Sequence, residues 1–292
     1  MDPRVQQVRR FNRAVGQRIG GLDDSFLGRG RPMGESRLLF EIGMDGAELR
    51  ALRARLGLDS GYVSRMLRSL ERQGLVDPTT SAADARVRRI ALTPAGRAEV
   101  AELTHRSDAL AESMLAPLAE TQRERLVQAM DEVERLLRAS AVEIGPARPS
   151  SAAARACLSA YFEELDTRFE AGFDPGASIP AGDRSLTPLG GILLIATLHE
   201  EPVGCGALKA LGGGVADIKR MWVAEAVRGL GVGRRILAAL EEQAGAWGVG
   251  TLRLETNAAL EEAQSLYRSS GYSEVAPFSD ERYAHHWFEK RL

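Results

Sequence analysis

The chain has 292 residues, with 38 Lys and Arg against 40 Asp and Glu, which gives a formal net charge of −2. A hydrophobic share of 44% and a charged share of 27% are typical of a globular protein, and no apolar run approaches the ~20 residues of a membrane-spanning helix. The two cysteines, Cys157 and Cys205, lack zinc-site spacing. This argues against a metal site or a disulfide scaffold and favours a cytoplasmic protein.

Positive charge is concentrated in residues 50–97, which hold ten arginines and only four acidic residues. A basic block inside an otherwise mildly acidic chain predicts a polyanionic partner at one place. A solvated arginine-rich face is the alternative interpretation.

The first half of the chain is helical apart from one segment. Apolar residues recur at helical spacing, and glycine or proline ends most of the runs. The predicted helices span residues 4–19, 36–43, 45–57, 59–74, 94–115 and 118–142. Residues 75–93 break this period, and their two ends predict a β-hairpin with a basic tip.

Helix 45–57, a turn around Gly57 and helix 59–74 form a helix-turn-helix pattern. One face of the second helix is apolar and predicted to be buried: Val63, Met66, Leu67 and Leu70. The opposite face carries small polar residues followed by arginines, which suits a helix that enters the DNA major groove. The candidate DNA-binding residues on this face are Ser60, Ser64, Arg65 and Arg68. From the hairpin tip, Arg86 and Arg88 are predicted to reach the neighbouring minor groove.

The runs LRARLGLDSGYVSRMLRSLERQGLV and DARVRRIALTPAGRAEV resemble the winged helix of MarR-type transcription regulators. The resemblance covers about residues 4–142 and includes the Asp84-x-Arg86 pair and the Leu92-Thr93 step before Gly96. It implies a mainly α winged-helix domain, a homodimer formed by the first and the last two helices, and a palindromic double-stranded DNA operator. It also implies that Arg86 is the minor-groove residue. A winged helix that is kept only for dimerisation is the alternative.

The second half alternates between helices and strands. Residues 143–154, EIGPARPSSAAA, are rich in Pro, Ser and Ala, which predicts a linker. We expect a first domain at 1–144, a linker at 145–153 and a second domain at 154–292. In the second domain the predicted helices are 152–171, 233–247 and 259–270, and the predicted strands are 190–198, 202–211, 215–223, 251–257 and 285–292. This order predicts an α/β fold with a mixed, partly parallel sheet.

The stretch VRGLGVGRRIL, residues 227–237, has glycine at three alternate positions between a strand and a helix. A Walker loop requires Lys and then Ser or Thr, where this chain has Arg234-Arg235. A dinucleotide fingerprint requires a third glycine where this chain has Ile236. The spacing Arg228-x-x-Gly231-x-Gly233 remains. It predicts that backbone N–H groups turn inward at a helix N-terminus and bind phosphate oxygens. A Cβ at Gly231 or Gly233 would occupy the position of those oxygens.

This loop, the strand before it, and the later Leu266-Tyr267 and Gly271-Tyr272 pairs resemble the GNAT acetyltransferases over about residues 155–292. The resemblance implies that the co-substrate is acetyl-coenzyme A (acetyl-CoA). The candidate cofactor-binding residues are Met221, Val223, Arg228, Gly229, Gly231, Val232, Gly233, Arg234 and Asn257. For Asn257, a structural role at the strand end is equally open.

The same resemblance implies the catalytic groups. Tyr267 stands where the family has the tyrosine that protonates the departing thiolate, and Asp217 stands where related enzymes often have a glutamate. Asp217 is therefore the candidate base, with Glu255 in reserve. Arg168 is a candidate ligand for an acceptor carboxylate, or else a surface arginine.

Taken together, the sequence predicts a MarR-like regulator joined to an N-acetyltransferase that acts on a small amine by direct transfer. Two alternatives stay open. The second half is either a non-catalytic sensor of acetyl-CoA or another ligand, or a protein-lysine acetyltransferase.

Overall fold

The computed structural model describes residues 2–21, 24–80, 88–178, 186 and 190–292. The chain divides into two compact units, Met1–Ala129 and Met130–Leu292, and the boundary falls within a long helix. Each unit has a hydrophobic core of its own. Over the described part of the chain, no helix is both long and apolar enough to cross a bilayer.

The first unit combines helices with a small antiparallel sheet. Its helices are α1 (Pro3–Arg18), α2 (Met33–Ile42), α3 (Leu49–Leu56), α4 (Ser60–Arg72), α5 (Pro94–Leu115) and the start of α6 (Glu120–Ala141). Its described strands are β1 (Ala47–Glu48), β2 (Val76–Thr80) and β3 (Arg88–Leu92), in the order β1-β3-β2. The predicted helices and hairpin are confirmed. Helix α2 begins at Met33 rather than at residue 36, and one other boundary differs more.

That boundary is the start of α3, because residues 45–48, predicted as helix, precede the helix or lie in β1. Gly43 and Gly46 both have positive φ, 65° and 73°, and such conformations interrupt a helix. A Cβ on Gly46 would lie 2.7 Å from the carbonyl oxygen of Ile90. This close approach places β1 against β3.

Helix α4 packs as its apolar spacing predicts. Val63, Met66, Leu67 and Leu70 are all buried, and they pack with Leu38, Leu39 and Leu52 of the neighbouring helices. Burying each such side chain contributes about 1.5–3 kcal/mol. At the start of α4, the Asp59 carboxylate accepts hydrogen bonds from the N–H groups of Gly61 and Tyr62, at 2.8 and 3.1 Å. This cap fixes where the helix begins.

The second unit is a seven-stranded sheet with helices on both faces. Its helices are α7 (Ala152–Arg168), α8 (Val232–Ala246) and α9 (Glu261–Ser269). Its described strands are β4 (Val142–Ala147), β5 (Gly191–Leu198), β6 (Glu201–Gly212), β7 (Val215–Val223), β8 (Thr251–Thr256), β9 (Ser273–Val275) and β10 (His286–Arg291). They follow the order β4-β5-β6-β7-β8-β10-β9, and only the β7–β8 pair among them is parallel.

The segment predicted as a linker contains a strand. Residues 145–147 belong to β4, whose six residues pair antiparallel with β5 from Val142↔Leu198 to Ala147↔Leu193. β4 is an edge strand with a neighbour on one side only. Proline lacks an N–H group but is tolerated in an edge strand, so Pro146 is compatible with β4. The proline and glycine in this segment therefore predicted a linker, whereas the chain forms an edge strand there.

Alternate residues of the strands face the two helical layers. Leu194, Ala196 and Leu208 join the cluster formed with α8, whereas Leu193 and Ile195 join the cluster formed with α7. This period of two is that of a sheet covered on both faces.

The central strands β7 and β8 are paired over only part of their length. Their pairing runs from Val215↔Thr251 to Asp217↔Arg253, although β7 continues to Val223 and β8 to Thr256. Beyond Asp217 the two strands therefore part, and a cleft opens between them.

We predict that Gly96→Ala destabilises the first unit by about 2 kcal/mol or more, since overpacking a tight site typically costs 1–3 kcal/mol. A Cβ on Gly96 would lie 1.9 Å from the carbonyl oxygen of Leu75. Thr93 holds this corner, because its hydroxyl donates to the Gly74 carbonyl at 2.7 Å and accepts from Gly96 N–H at 3.0 Å.

Hydrogen exchange of the α4 amides measures this loss, and the α8 amides serve as the internal control. The matched variant is Ala95→Ser, which adds one heavy atom at an exposed neighbour and should leave exchange unchanged. Equal protection in Gly96→Ala and Ala95→Ser would contradict the steric argument.

Candidate active site

The glycine-rich loop turns sharply into α8. Gly229 and Gly231 have φ of 76° and 75°, and Gly231 is the N-cap residue of α8. No described atom lies within 4 Å of a Cβ built on either residue. Glycine is therefore required here by the left-handed backbone, which costs other residues about 1–2 kcal/mol, and the side facing the cleft is open.

The surroundings of Gly233 differ from those that the sequence predicted. A Cβ there would lie 3.4 Å from Leu266 and 3.6 Å from Val223, which are ordinary packing distances. The expected position of this Cβ among phosphate oxygens is thus wrong for Gly233, because Gly233 already lies in the first turn of α8 and faces packed side chains.

The backbone N–H groups of residues 229–234 form a row without protein acceptors. Among the described residues, none of these six groups donates a hydrogen bond. The first N–H groups of a helix always lack intrahelical partners, and the helix dipole adds partial positive charge at the same place. This arrangement suits a phosphate or diphosphate.

Two arginines brace the loop. The Arg228 guanidinium donates to the Val223 carbonyl at 3.0 Å and forms an ion pair with Glu164 of α7. Arg234 donates to the Ser269 hydroxyl at 3.0 Å. Glu164 thus neutralises Arg228, whereas Arg234 has no acidic partner among the described residues, so its charge and the backbone amides provide the anion-binding capacity of the loop.

The loop opens onto a cleft of about 470 Å³. Almost all of the sequence-predicted cofactor residues line it: Met221, Val223, Arg228, Gly229, Gly231, Val232, Gly233 and Arg234. Tyr267 lines it as well. A second cavity of about 100 Å³ adjoins this cleft, because Tyr161, Met221 and Tyr267 line both.

Tyr267 lies between the two cavities and is only 5% exposed. Burial raises the pKa of its phenol well above the usual value, and the nearby Tyr161 raises it further. Burial also raises the pKa of Tyr161 to about 12. Both phenols are consequently protonated at neutral pH. Tyr161 belongs to no motif, and only the tertiary fold places this α7 residue beside Tyr267.

The two candidate bases are positioned differently. Asp217 is the last β7 residue paired with β8 and lines neither cavity, whereas Glu255 follows the point of divergence and lines the smaller cavity. Burial raises the pKa of Asp217, and its Oδ1 has no partner among the described residues. Lys219 lies 3.9 Å from Asp217 and forms an ion pair with Glu255. The geometry therefore favours Glu255 over Asp217 as the carboxylate that can reach a reacting group.

Asn257 lies at the smaller cavity and not at the large cleft. Its side chain donates to the Tyr283 carbonyl at 2.8 Å and accepts from Ala259 N–H at 2.9 Å. These bonds fit the strand-end alternative for Asn257.

Arg168 is fully engaged within the protein. It forms ion pairs with Glu164 and Glu262, at 3.3 and 2.8 Å, and it donates to the Ala259 carbonyl at 2.7 Å. This use of its donors leaves little capacity for a carboxylate ligand.

The candidate DNA-binding residues lie in the first unit. Ser60, Arg65, Arg68 and Arg88 are exposed and Ser64 is half-buried. The Ser64 hydroxyl donates to the Ser60 carbonyl at 2.7 Å, and Arg65 lies 5.7 Å from the centre of the Tyr62 ring. Among the described residues, no acidic side chain pairs with any of these arginines. Arg86 lies outside the described residues.

The fold and the cleft define two classes of domain: a winged helix followed by an α/β acyltransferase domain. Residues 29–87 match the family model of the MarR family, and residues 158–272 match that of the acetyltransferase (GNAT) family. The chain therefore carries a MarR-family domain followed by a GNAT acetyltransferase domain.

Two curated proteins are similar to part of the chain. An IAA acetyltransferase of Azospirillum brasilense is 38% identical over 86 residues, which is 29% of this chain and 56% of that protein. The uncharacterized N-acetyltransferase YsnE of Bacillus subtilis is 37% identical over 83 residues, which is 28% of this chain and 55% of that protein. The chain thus spans about half the length of these relatives.

Solved structures include a GNAT-family acetyltransferase from Staphylococcus aureus. It is 18% identical, with a TM-score of 0.45, and the alignment covers 52% of this chain and 99% of that one.

Proposed function

We propose that the chain is a DNA-binding regulator that is also an acetyl-CoA-dependent N-acetyltransferase for a small amine. The observation that carries the enzymatic half is the row of unpartnered amides at 229–234, which opens onto a cleft that contains a buried, protonated tyrosine. The two relatives named as acetyltransferases support the same reaction class.

The residues of the cleft suit a coenzyme A thioester. The amides at 229–234 bind its diphosphate, and the parted edge of β7 near Met221 and Val223 offers backbone groups to its arm. Bound acetyl-CoA supplies an activated acetyl group. The large cleft, rather than the smaller cavity, has the volume for this co-substrate.

In the proposed reaction, Tyr267 donates a proton and Glu255 accepts one. When the amine nitrogen bonds to the acetyl carbon, the carbon–sulfur bond breaks and sulfur requires a proton, which the Tyr267 hydroxyl donates. A thiol has an ordinary pKa of about 8.5, so a phenol that stays protonated at neutral pH keeps this proton available. Glu255 accepts the proton that the ammonium acceptor loses, directly or through water, and Lys219 holds its carboxylate in place.

We predict that Gly231→Val lowers the affinity for acetyl-CoA at least about 100-fold. A β-branched residue is strained at φ of 75°, and its side chain would occupy the open side of the loop. Isothermal titration calorimetry with acetyl-CoA measures the change. The matched control is Gly245→Val in the same helix, where no atom crowds a new side chain. Retained affinity in Gly231→Val would contradict diphosphate binding at this loop.

We predict that Tyr267→Phe slows acetyl transfer about 100-fold or more, as loss of a general acid typically does, with acetyl-CoA affinity changed less than threefold. Thiol release with acetyl-CoA and a panel of amines measures the rate. Tyr272→Phe is the control, because Tyr272 is buried on the same side of the sheet but lines neither cavity. If binding fell as much as the rate, Tyr267 would be structural. If native protein bound acetyl-CoA but released no thiol with any amine, the sensor alternative would stand.

The regulatory half acts through the exposed face of α4 and the wing. Small residues at the helix start allow close approach to a groove, and arginines without acidic partners attract phosphates. Arg65, Arg68 and Arg88 are exposed, and the sequence between β2 and β3 adds the charge of Arg86.

Helix α1 supports the proposal of a homodimer that binds a palindromic site. None of its described side chains is buried, yet it carries an apolar stripe at helical spacing. The stripe consists of Val5, Val8, Phe11 and Val15, which are 37–58% exposed. A helix with such a stripe buries it against a partner surface.

We predict that Arg68→Gln weakens binding to a random-sequence duplex of about 30 base pairs and reduces the slope of log K against log salt concentration by about 1. Fluorescence anisotropy at several salt concentrations measures both. Arg37→Gln is the control, because Arg37 is 65% exposed but lies beside Glu41 on α2. Equal slopes in the native protein and Arg68→Gln would show that α4 does not contact phosphate.

A further inference from the structure

Arg220 lies at an irregularity of the sheet beside the smaller cavity. Its φ is 58°, one of the few positive values at a non-glycine residue. The β6–β7 register passes from Cys205↔Trp222 to Ala207↔Lys219, so Arg220 and Met221 together face the single residue Gly206. A side chain on Gly206 would clash with Ile236 and Met221, at 2.6 and 2.7 Å. The bulge is thus built into the packing, and it directs the Arg220 side chain to the cavity.

The Arg220 guanidinium stacks on aromatic rings and lacks an anionic partner. It lies 4.6 Å from the Phe162 ring centre and 5.9 Å from that of Tyr161, and it lines the smaller cavity. Among the described residues, its side chain donates no hydrogen bond and pairs with no carboxylate. Lys219, the other cation that lines the smaller cavity, differs because it forms an ion pair with Glu255.

A half-buried guanidinium without a partner is unfavourable unless a ligand supplies the anion. The guanidinium fork matches a carboxylate in particular, since two parallel N–H groups can reach both oxygens. The aromatic rings pack against the face of the guanidinium and leave the N–H groups at its edge available for such bonds.

Aromatic side chains form one wall of the same cavity. The rings of Phe173 and Tyr283 have centroids 4.8 Å apart, and Phe169 lies 5.8 Å from each of them. All three line the cavity, as do the carboxylates Glu255 and Glu281. The cavity therefore offers an apolar surface, a cation for a carboxylate and, in Glu255, a carboxylate on the side of an ammonium group.

We propose that the acceptor is an aromatic amino acid with a free carboxylate, and that Arg220 binds that carboxylate. This inference rests on the proposed acetyl transfer and names its substrate class. Arg220 is the specificity-determining residue. The aromatic wall contacts the acceptor side chain, and the amino group lies on the side of Glu255.

The test compares phenylalanine, tyrosine and tryptophan with their carboxamides, using thiol release from acetyl-CoA. For the best acid, Arg220→Gln should lower kcat/KM about 10- to 100-fold, the range expected for a charge-assisted pair of hydrogen bonds. The matching amide should change less than threefold. Comparing each acid-to-amide ratio between variants cancels the different basicity of the two amines. Arg220→Lys should restore part of the preference for the acid.

The matched control is Arg253→Gln. Arg253 also lies over a ring, at 5.1 Å from the Phe278 centre, but it pairs with Glu289 and lines neither cavity. This variant should leave the acid-to-amide ratio unchanged. Gln at position 220 keeps the same backbone demand as Arg, and thermal unfolding confirms that the variant is folded.

The two proposals fail in different ways. An unchanged acid-to-amide ratio in an active Arg220→Gln variant overturns the role of Arg220 and leaves acetyl transfer intact. If no acceptor releases thiol, the proposal of acetyl transfer is overturned. Calorimetric titration with the three amino acids then tests whether Arg220 binds their carboxylate. Binding that is lost in Arg220→Gln and kept in Arg253→Gln supports it, and the absence of Arg220-dependent binding overturns it.

Discussion

The parting of β7 and β8 beyond the Asp217↔Arg253 pair is the constraint on which the second unit depends. Two neighbouring strands that stay paired leave no room for a ligand, whereas strands that diverge expose facing backbone edges and the side chains beyond the last pair. Met221 and Val223 lie on one edge, and Glu255 and Thr256 on the other. The glycine loop follows directly from β7, so the same divergence sets where the unpartnered amides of α8 point.

The divergence also separates the titratable groups by environment. Asp217 remains in the paired, buried part of the sheet, where burial favours its neutral form. Glu255 lies only two residues past Arg253 but enters the smaller cavity and is held by Lys219. Tyr161 of α7 and Tyr267 of α9 line the same cavity and are kept protonated by burial. One structural break thus places a carboxylate and two phenols around a common space.

Local patterns predicted the elements well, since helix α4 and the turn at Gly231 each depend on residues close in sequence. The failures came from tertiary pairing. β4 resembled a linker because an edge strand tolerates Pro146. The role of Asp217 stays a prediction, which its position before the strands part does not favour. Tyr161, Arg220 and Tyr283 had no signal, because the fold brings α7, β7 and residue 283 together from far along the chain.

Ion pairing decides which arginines can bind a ligand, and this is the property that sequence conceals. Arg228 occupies the motif position of a phosphate ligand but is paired with Glu164. In the function that we propose, the loop therefore holds an anion through its amide dipoles and the charge of Arg234. Arg68, Arg65 and Arg88 have no acidic partner among the described residues and are exposed to solvent. Binding through such charges is strongly screened by salt, whereas short-range hydrogen bonds from backbone amides depend less on ionic strength. In the function that we propose, the two units therefore recognise phosphate by different physics. Arg220 differs from both, because its charge is half-buried beside a cavity and has no acidic partner among the described residues.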